Sequence, residues 1–252
     1  MNEHLAGYLE SRDYGLITEK CIEWIAKWFE KNGPQSPAVI GISGGKDSSV
    51  VAALCKEALG AQRVFGVMMP NSVQSDINVA RELVDFLRIP NAEINVGQSV
   101  EAVRNSIAQS GIEFTNQMTI NIPPRIRMTT LYAASQCMNG RVSNNCNRSE
   151  NYVGYSTLFG DAAGDFSPLA NLTVAEVKII GRCLGLPEKF VEKVPADGLS
   201  DKTDEDNFGF SYEQLDTYIL TGFCGDDEIK AKIDKRHAAN LFKLKPMPEF
   251  EF

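Results

Sequence analysis

One short segment carries the residues best suited to chemistry: Gly41-Ile42-Ser43-Gly44-Gly45-Lys46-Asp47-Ser48. Its glycines let the backbone curl with N–H groups facing inward, and its serines add hydroxyl groups, so the segment suits a pyrophosphate. Asp47 fits beside phosphates when Mg²⁺ bridges its carboxylate to phosphate oxygens. A Walker A loop is excluded because the GK[ST] ending and the four-residue spacer are missing. The alternative is a glycine-rich turn with an ordinary aspartate near a helix N-terminus, where a carboxylate is favourable anyway.

The neighbouring residues place this segment between a strand and a helix. Residues 38–42 form a short apolar run, typical of a buried parallel strand, and apolar residues then recur at helical spacing over 50–59. Further elements are predicted as helices over 16–32, 75–87 and 98–109 and as strands over 64–69 and at Ile94 and Val96. This order predicts an α/β fold: a doubly wound parallel sheet in three α/β/α layers, with ligand at the carboxyl ends of its strands.

The second half of the chain is more helical. We predict a helix over 123–138, a weak strand at Arg141 and Val142, and two helices that begin at capping boxes, Thr173 to Glu176 and Ser211 to Gln214. Residues 196–207, rich in Asp, are predicted to form a mobile loop. Since neither an internal repeat nor a low-complexity linker is present, we predict a single domain over residues 1–252.

Composition narrows the class of protein. A chain of 252 residues, 43% of them apolar, can bury one sizeable core. The net charge of −8 argues against non-specific nucleic-acid binding, which needs a cationic surface. The six cysteines form no CxxC pair, the N-terminal residues are too charged for a secretory leader, and no run of 18 apolar residues occurs. We predict a cytoplasmic protein with reduced thiols and no membrane partner.

Taken with its flanking strand and helix, the segment 41–48 resembles the pyrophosphatase loop of the N-type ATP pyrophosphatases. That group includes NAD, GMP and asparagine synthetases and some tRNA-modifying enzymes. Its members cleave ATP between the α- and β-phosphates and leave AMP on an acyl or carbonyl oxygen. The resemblance implies an adenine-nucleotide alpha-hydrolase-like fold.

The rest of the chain resembles one branch of this group, the ammonia-dependent NAD synthetases. The matching segments, in the family's order, are Arg125-Ile126-Arg127-Met128, Asn147-Arg148-Ser149-Glu150, Gly154-Tyr155-Ser156-Thr157, Gly160-Asp161, Gly164-Asp165, Asp204-Glu205-Asp206 and Gly209-Phe210-Ser211-Tyr212-Glu213. The resemblance covers most of the chain. It implies that ATP, Mg²⁺ and ammonia convert the nicotinic-acid carboxylate of deamido-NAD into an amide, with AMP and pyrophosphate as the other products.

The resemblance also implies residue roles. Asp47 and Glu150 would bind Mg²⁺, Asp161 would lie at the ammonia site, and Lys46 and Asp47 would act in catalysis. The ATP positions are Gly41, Ile42, Ser43, Gly44, Gly45, Lys46, Asp47, Ser48, Gln74, Asn145, Val174 and Ala196. The deamido-NAD positions are Arg125, Leu158, Asp165 and His237.

This chain departs from the family at several of these positions. Relatives commonly carry Lys at Val174, Thr at Asn145, Ser or Thr at Ala196, Arg at Met68 and Lys at Leu158. Some phosphate charge must therefore be neutralised by other residues, and Lys46 and Lys202 are the candidates.

The implied chemistry follows from the substrate. A carboxylate is a poor acyl donor, and adenylation turns one of its oxygens into a good leaving group. Mg²⁺ would neutralise the charge that develops on the phosphates, and Asp161 would take a proton so that ammonia attacks as NH₃.

Two other functions share the loop. A tRNA-modifying ATP pyrophosphatase would be expected to carry paired cysteines or a basic appendage, and this acidic chain shows neither. A non-catalytic nucleotide-binding module would bind ATP alone.

The resemblance further implies a homodimer, with the dinucleotide site at a two-fold interface near the helix over 123–138. The apolar residues of that helix, among them Met128 and Leu131, would serve equally well in a core. A glutaminase domain is not expected, because roughly 35 residues precede the first strand and a domain takes about 100 or more.

Overall fold

A parallel four-stranded sheet forms the centre of the protein. The computed structural model describes residues 2–192 and 204–250. The strand order is β3-β2-β1-β4, with bounds β1 Ala38–Gly41, β2 Val64–Met68, β3 Asn91–Glu93 and β4 Arg141–Val142. The predicted α/β fold with a parallel sheet is therefore confirmed.

Helices connect and cover these strands. Within the described residues they are α1 Glu3–Glu10, α2 Tyr14–Asn32, α3 Lys46–Leu59, α4 Ile77–Leu87, α5 Gly97–Gln109, α6 Asn116–Cys137, α7 Arg148–Val153, α8 Val174–Cys183, α9 Glu188–Val191, α10 Asp204–Phe208, α11 Tyr212–Thr221 and α12 Asp227–Asn240. Short 3₁₀ turns lie at Ala61–Arg63 and Leu241–Leu244.

The two faces of the sheet bury alternate residues of β1. Ala38 and Ile40 join a large apolar cluster with α1–α4, α8 and α9, whereas Val39 packs with Leu131 of α6 on the opposite face. Successive side chains of a strand point to opposite faces, so both faces of β1 are covered. The three-layer arrangement follows from this double burial.

Two predicted boundaries are wrong. The helix α6 begins at Asn116 rather than at residue 123, because Thr115 caps it by accepting a hydrogen bond from the Met118 N–H at 3.1 Å. Pro123 and Pro124, which were predicted to be the first two residues of this helix, thus lie in its interior. The third strand is Asn91–Glu93, just before Ile94, although the Ile94 N–H continues the pairing by donating to the Met68 carbonyl.

The predicted loop over 196–207 falls partly on described residues. Its last residues, from Asp204, belong to α10, and the remainder lies outside the described residues. In residues 2–192 and 204–250, no helix is both long and apolar enough to cross a bilayer.

Candidate active site

The segment 41–48 lies at the carboxyl end of β1 and leads into α3. Gly44 has φ +74°, and its backbone packs so closely on α4 that an added Cβ would lie 2.8 Å from the Ala80 nitrogen. The Ser43 and Ser48 hydroxyl oxygens are 3.2 Å apart, and the Gly45 N–H donates to the Ser43 oxygen. The loop is therefore shaped by its own hydroxyl groups and by glycine's freedom at one position.

Asn147 brings the two predicted metal ligands together. Its amide group donates to Asp47 Oδ1 at 3.0 Å, and its backbone N–H donates to Glu150 Oε2 at 3.2 Å. The latter bond is half of a capping box that begins α7. One residue at the start of α7 thus fixes the first turn of α3 against Glu150.

Lys46 lies inside this acidic group. Its side chain is 2% exposed, and its Nζ donates to Asp47 Oδ2 at 2.8 Å and lies 5.6 Å from the ring centre of Tyr212. Burial by itself lowers the pKa of Lys46, but attraction to Asp47, Glu150 and Asp204 outweighs it and raises that pKa. Lys46 therefore carries its charge throughout the physiological range.

The surroundings of Glu150 disfavour its ionised form. Desolvation and the nearby charge of Asp47 raise the pKa of Glu150 to about 8, although the Lys46 ammonium opposes this rise. A further cation beside Glu150 and Asp47 would favour the ionised form. The pair is thus suited to binding a positive charge.

The other predicted ATP residues differ in their surroundings. The Asn145 amide donates a hydrogen bond to the Gly41 carbonyl at 3.0 Å and so holds the first residue of the loop. Gln74 lies between β2 and α4 and donates to Asp76 Oδ1 at 2.8 Å. Met68 is buried in the sheet, and Ala196 and Lys202 lie outside the described residues.

Val174 offers the site an apolar side chain. It is 6% exposed and packs with Tyr212 and Leu215, and its N–H donates to the Ser149 hydroxyl at 3.0 Å. Because Lys46 lies over the same Tyr212 ring, a positive charge reaches this region from α3 instead of from position 174.

A buried carboxylate caps α8 beside the site. Asp216 Oδ2 accepts from the Ala175 N–H at 2.8 Å, and Asp216 Oδ1 accepts a short bond from the Ser149 hydroxyl. Desolvation raises the pKa of Asp216 to about 6, with Glu176 raising it further and Lys46 lowering it. The N-terminal amides of α8 are thus already engaged by protein oxygens.

This raised pKa predicts a pH dependence of stability. The favourable contribution of neutral Asp216 is complete below the unfolded value near 3.8 and is lost as pH rises through about 6. Between about pH 5 and about pH 7 the loss amounts to roughly 1 kcal/mol of unfolding free energy. Urea unfolding should show that Asp216→Asn reduces this difference, with exposed Asp85→Asn as the control. An undiminished difference in Asp216→Asn would contradict the assignment.

Two of the predicted dinucleotide residues contact each other, and a third borders a cavity. Arg125 of α6 donates from Nε to the Leu158 carbonyl at 3.3 Å. Asp165 accepts from the Tyr132 hydroxyl at 3.1 Å and from the Val142 N–H at 2.7 Å. Asp165 also borders a cavity of about 350 Å³ that Asn144, Asn151 and Lys243 line. Tyr132 also lines a second cavity, of about 500 Å³.

His237 has different neighbours. Its ring stacks on Tyr152 at 3.9 Å, and Nδ1 lies 2.8 Å from the Tyr152 carbonyl oxygen. In the described part of the chain it makes no hydrogen bond or ring contact with Arg125, Leu158 or Asp165. The structure therefore gives His237 a packing role between α12 and α7, and its predicted contact with dinucleotide stays untested.

Asp161 lies close enough to Glu150 for its charge to raise the Glu150 pKa. Its Oδ1 accepts from the Thr157 N–H at 2.8 Å. Desolvation raises the pKa of Asp161, and the hydrogen bonds that its carboxylate accepts, this one among them, oppose part of the rise. A carboxylate so held can accept a proton from an incoming amine.

Four residues that shape the site had no predicted role, although three of them, Asn147, Ser149 and Tyr212, lie in the segments that resemble the family. Asn147, Ser149 and Tyr212 contact predicted residues that are distant in the chain, for instance 100 positions between Asn147 and Asp47, and Asp216 contacts Ser149. The signal available in sequence was the capping pair Asn147 and Glu150, which predicts a helix start but not its neighbour.

Comparison with known proteins agrees with this geometry. The NAD synthase family model matches residues 17–251. The NH(3)-dependent NAD(+) synthetase of Finegoldia magna is 35% identical over 95% of this chain and 98% of its own length.

Two solved structures are also similar to this chain over nearly its whole length. The NMN synthetase of Francisella tularensis has a TM-score of 0.87 at 32% identity, covering 96% of this chain and all of that one. The NH3-dependent NAD synthetase of Campylobacter jejuni, solved with a nitrate ion, has a TM-score of 0.77 at 32% identity, with the same coverage. With the family model spanning nearly the whole sequence, the chain belongs to the NAD synthase family.

Proposed function

We propose that this protein uses ATP to convert the nicotinic-acid carboxylate of deamido-NAD into an amide with free ammonia. The observation that carries the proposal is that Asn147 donates hydrogen bonds to both Asp47 and Glu150, at the end of the glycine-rich loop where α3 begins. The loop supplies inward N–H and hydroxyl groups for phosphates, and the carboxylates supply charge for a bridging cation. AMP and pyrophosphate are the other products.

The donor set fits Mg²⁺ brought in with a nucleotide. In the described residues no group of three or more His, Cys, Asp or Glu side chains forms a metal cage. Mg²⁺ is usually held by one or two carboxylates together with substrate phosphates, and Asp47 and Glu150 match that pattern. Bound there, the ion would neutralise phosphate charge as pyrophosphate leaves.

The protein's own groups have separate tasks in this scheme. The loop orients the triphosphate, Lys46 adds a fixed positive charge, and Arg125 and Asp165, the latter at the edge of a cavity, would hold the dinucleotide. Asp161 takes the proton that ammonium must lose before it attacks the adenylated carboxyl group.

The direct test is to incubate the protein with deamido-NAD, ATP, Mg²⁺ and ammonium chloride and to quantify NAD and AMP. Equal amounts of the two products are expected. AMP without NAD, or neither, would contradict the proposal. A thermal-shift comparison separates an enzyme from a nucleotide-binding module, because deamido-NAD should add to the stabilisation given by ATP only in the enzyme.

A second candidate substrate is the mononucleotide counterpart of deamido-NAD, with NMN as product. The observation favouring it is the TM-score of 0.87 with an NMN synthetase, against 0.77 with an NAD synthetase. Both candidates present the same carboxylate, so the reacting residues keep their roles. Competition between equal concentrations of the two substrates distinguishes them, and the ratio of NAD to NMN formed gives the preference.

We expect this chain to use ammonia and not glutamine. Cys146 lies nearest the site, but it is 6% exposed, and desolvation together with Glu150 raises the pKa of its thiol well above the usual value. A nucleophilic cysteine needs the opposite shift. Ammonium chloride should support NAD formation, and ammonia-free glutamine should not. Saturable activity with glutamine that disappears in Cys146→Ala would show the nitrogen source to be misassigned.

We also propose a homodimer that uses the outer face of α6. Met128 and Leu131 are buried against the sheet, so the core role left open by their spacing is the one they have. Met128 also borders the second cavity, which exposed Thr129, Ala133 and Gln136 of α6 line together with Phe159, which is 64% exposed. The exposed Phe159 ring beside this cavity is the apolar feature that supports an interface.

Sedimentation should give about twice 27.8 kDa. Phe159→Glu should shift the distribution towards monomer and lower activity, whereas Met247→Glu, on an exposed tail residue, should leave both unchanged. A fully active wild-type monomer would refute the shared interface. We further propose a single cytoplasmic domain over residues 1–252.

A further inference from the structure

A buried ammonium group lies where the proposed metal ligands converge. Lys46 Nζ donates to Asp47 Oδ2 at 2.8 Å, and the Lys46 side chain is 2% exposed. Asn147 holds the other oxygen of Asp47 and one oxygen of Glu150. A carboxylate oxygen proposed for Mg²⁺ is thus already bound to a cation of the protein itself.

The surroundings keep that ammonium in place. Lys46 interacts favourably with Asp47, Glu150 and Asp204, while the Tyr212 ring covers it at 5.6 Å and the Tyr212 hydroxyl donates to Asp204 at 3.0 Å. A buried lysine among carboxylates is costly to unpair, because a lone charge in a poorly hydrated site has no compensation. Separating Lys46 from the carboxylates therefore requires another cation for them and a new anion for the ammonium.

We infer that Lys46 substitutes for the metal in the nucleotide-free protein, so that free Mg²⁺ is kept out and the ion enters only with ATP. The inference rests on the proposed assignment of Asp47 and Glu150 as Mg²⁺ ligands. Mg²⁺ alone would meet a like charge beside its ligands and would have to expel a paired lysine without a replacement partner. A triphosphate supplies that partner, since its oxygens can accept the released ammonium.

Metal binding without nucleotide tests the inference directly. Mn²⁺ would serve as the probe, with the free ion measured by electron paramagnetic resonance in titrations of the 252-residue protein. Lys46→Gln keeps the hydrogen-bonding ability and removes the charge. It should bind one Mn²⁺ about tenfold or more tightly than wild type, because a repelling charge has been removed from the site.

Two further variants make the titration specific. Lys56→Gln, at the opposite end of α3, removes the same charge away from the site and should bind Mn²⁺ as wild type does. Adding Asp47→Asn to Lys46→Gln should abolish the gained site. Unchanged affinity in Lys46→Gln overturns the inference, and so does a gained site that survives Asp47→Asn.

A measurement on wild type covers the case in which Lys46→Gln fails to fold. Lysine Nζ groups labelled with ¹⁵N give side-chain NMR signals, and a buried, paired ammonium exchanges its protons slowly enough to be seen. Mg²⁺ alone should leave the Lys46 signal unchanged, whereas Mg²⁺ with a non-hydrolysable ATP analogue should move it. Displacement by Mg²⁺ alone overturns the inference. The catalytic loss in Asp47→Asn tests the metal assignment itself, so the two failures are distinguishable.

Discussion

Replacement of Asp47 by asparagine is expected to lower kcat/KM for NAD formation by about a hundredfold or more. This corresponds to roughly 3 kcal/mol of transition-state stabilisation. The amide keeps the size of the side chain and one acceptor for the Asn147 amide, but it loses the charge that faces Lys46 and the proposed Mg²⁺. The measurement is initial rate as a function of Mg²⁺ concentration.

The control for this variant is Asp85→Asn, which removes an exposed carboxylate from the end of α4. It should leave the rate unchanged. Glu150→Gln should resemble Asp47→Asn, since Asn147 holds both side chains. Near-normal turnover of Asp47→Asn at ordinary Mg²⁺ concentrations would remove Asp47 from the metal site.

Replacement of Gly44 by alanine is expected to reduce kcat/KM for ATP by about a hundredfold, as a displacement of about 1 Å at a reacting group does. The residue has φ +74°, which costs an L side chain about 1 kcal/mol or more. The new Cβ would also lie 2.8 Å from the Ala80 nitrogen and 3.1 Å from Val79. Because these are backbone atoms and a packed valine, the loop itself must shift.

Gly60→Ala is the control that introduces backbone strain at a positive φ without a steric contact. Gly60 follows the last residue of α3, the helix that the loop precedes, and has φ +81°. Nothing lies within 4 Å of a Cβ added there. The variant should lose stability to a similar extent and keep normal kinetics. Equal kinetic loss in both variants would mean that destabilisation, and not the shape of the loop, accounts for the result at Gly44.

The sequence predicted the fold where periodicity and burial act locally. Val39 and Ile40 belong to one apolar run and pack on opposite faces of the sheet, as a parallel strand requires. The start of α6 was missed because the pattern gives more weight to Pro123 than to Thr115, and a cap hydrogen bond decided otherwise. Propensity alone cannot weigh a cap against a proline.

The site was predicted less completely for a different reason. Asp47 and Glu150 were named from a family resemblance, while the contacts that make them a pair run through Asn147, 100 residues from Asp47. The burial of Lys46 under Tyr212 is likewise a result of tertiary packing between distant helices. Sequence spacing carries no information on such contacts.

The Asn147 side chain couples local opening of α7 to that of the loop before α3. This side chain receives the Glu150 N–H at 3.0 Å and gives a hydrogen bond to Asp47. Unwinding of the first turn of α7 must therefore release the loop before α3, and fixing that loop must restrain the turn. Amide hydrogens at the start of α7, which themselves contact no substrate, should exchange more slowly with solvent deuterium once ATP occupies the loop.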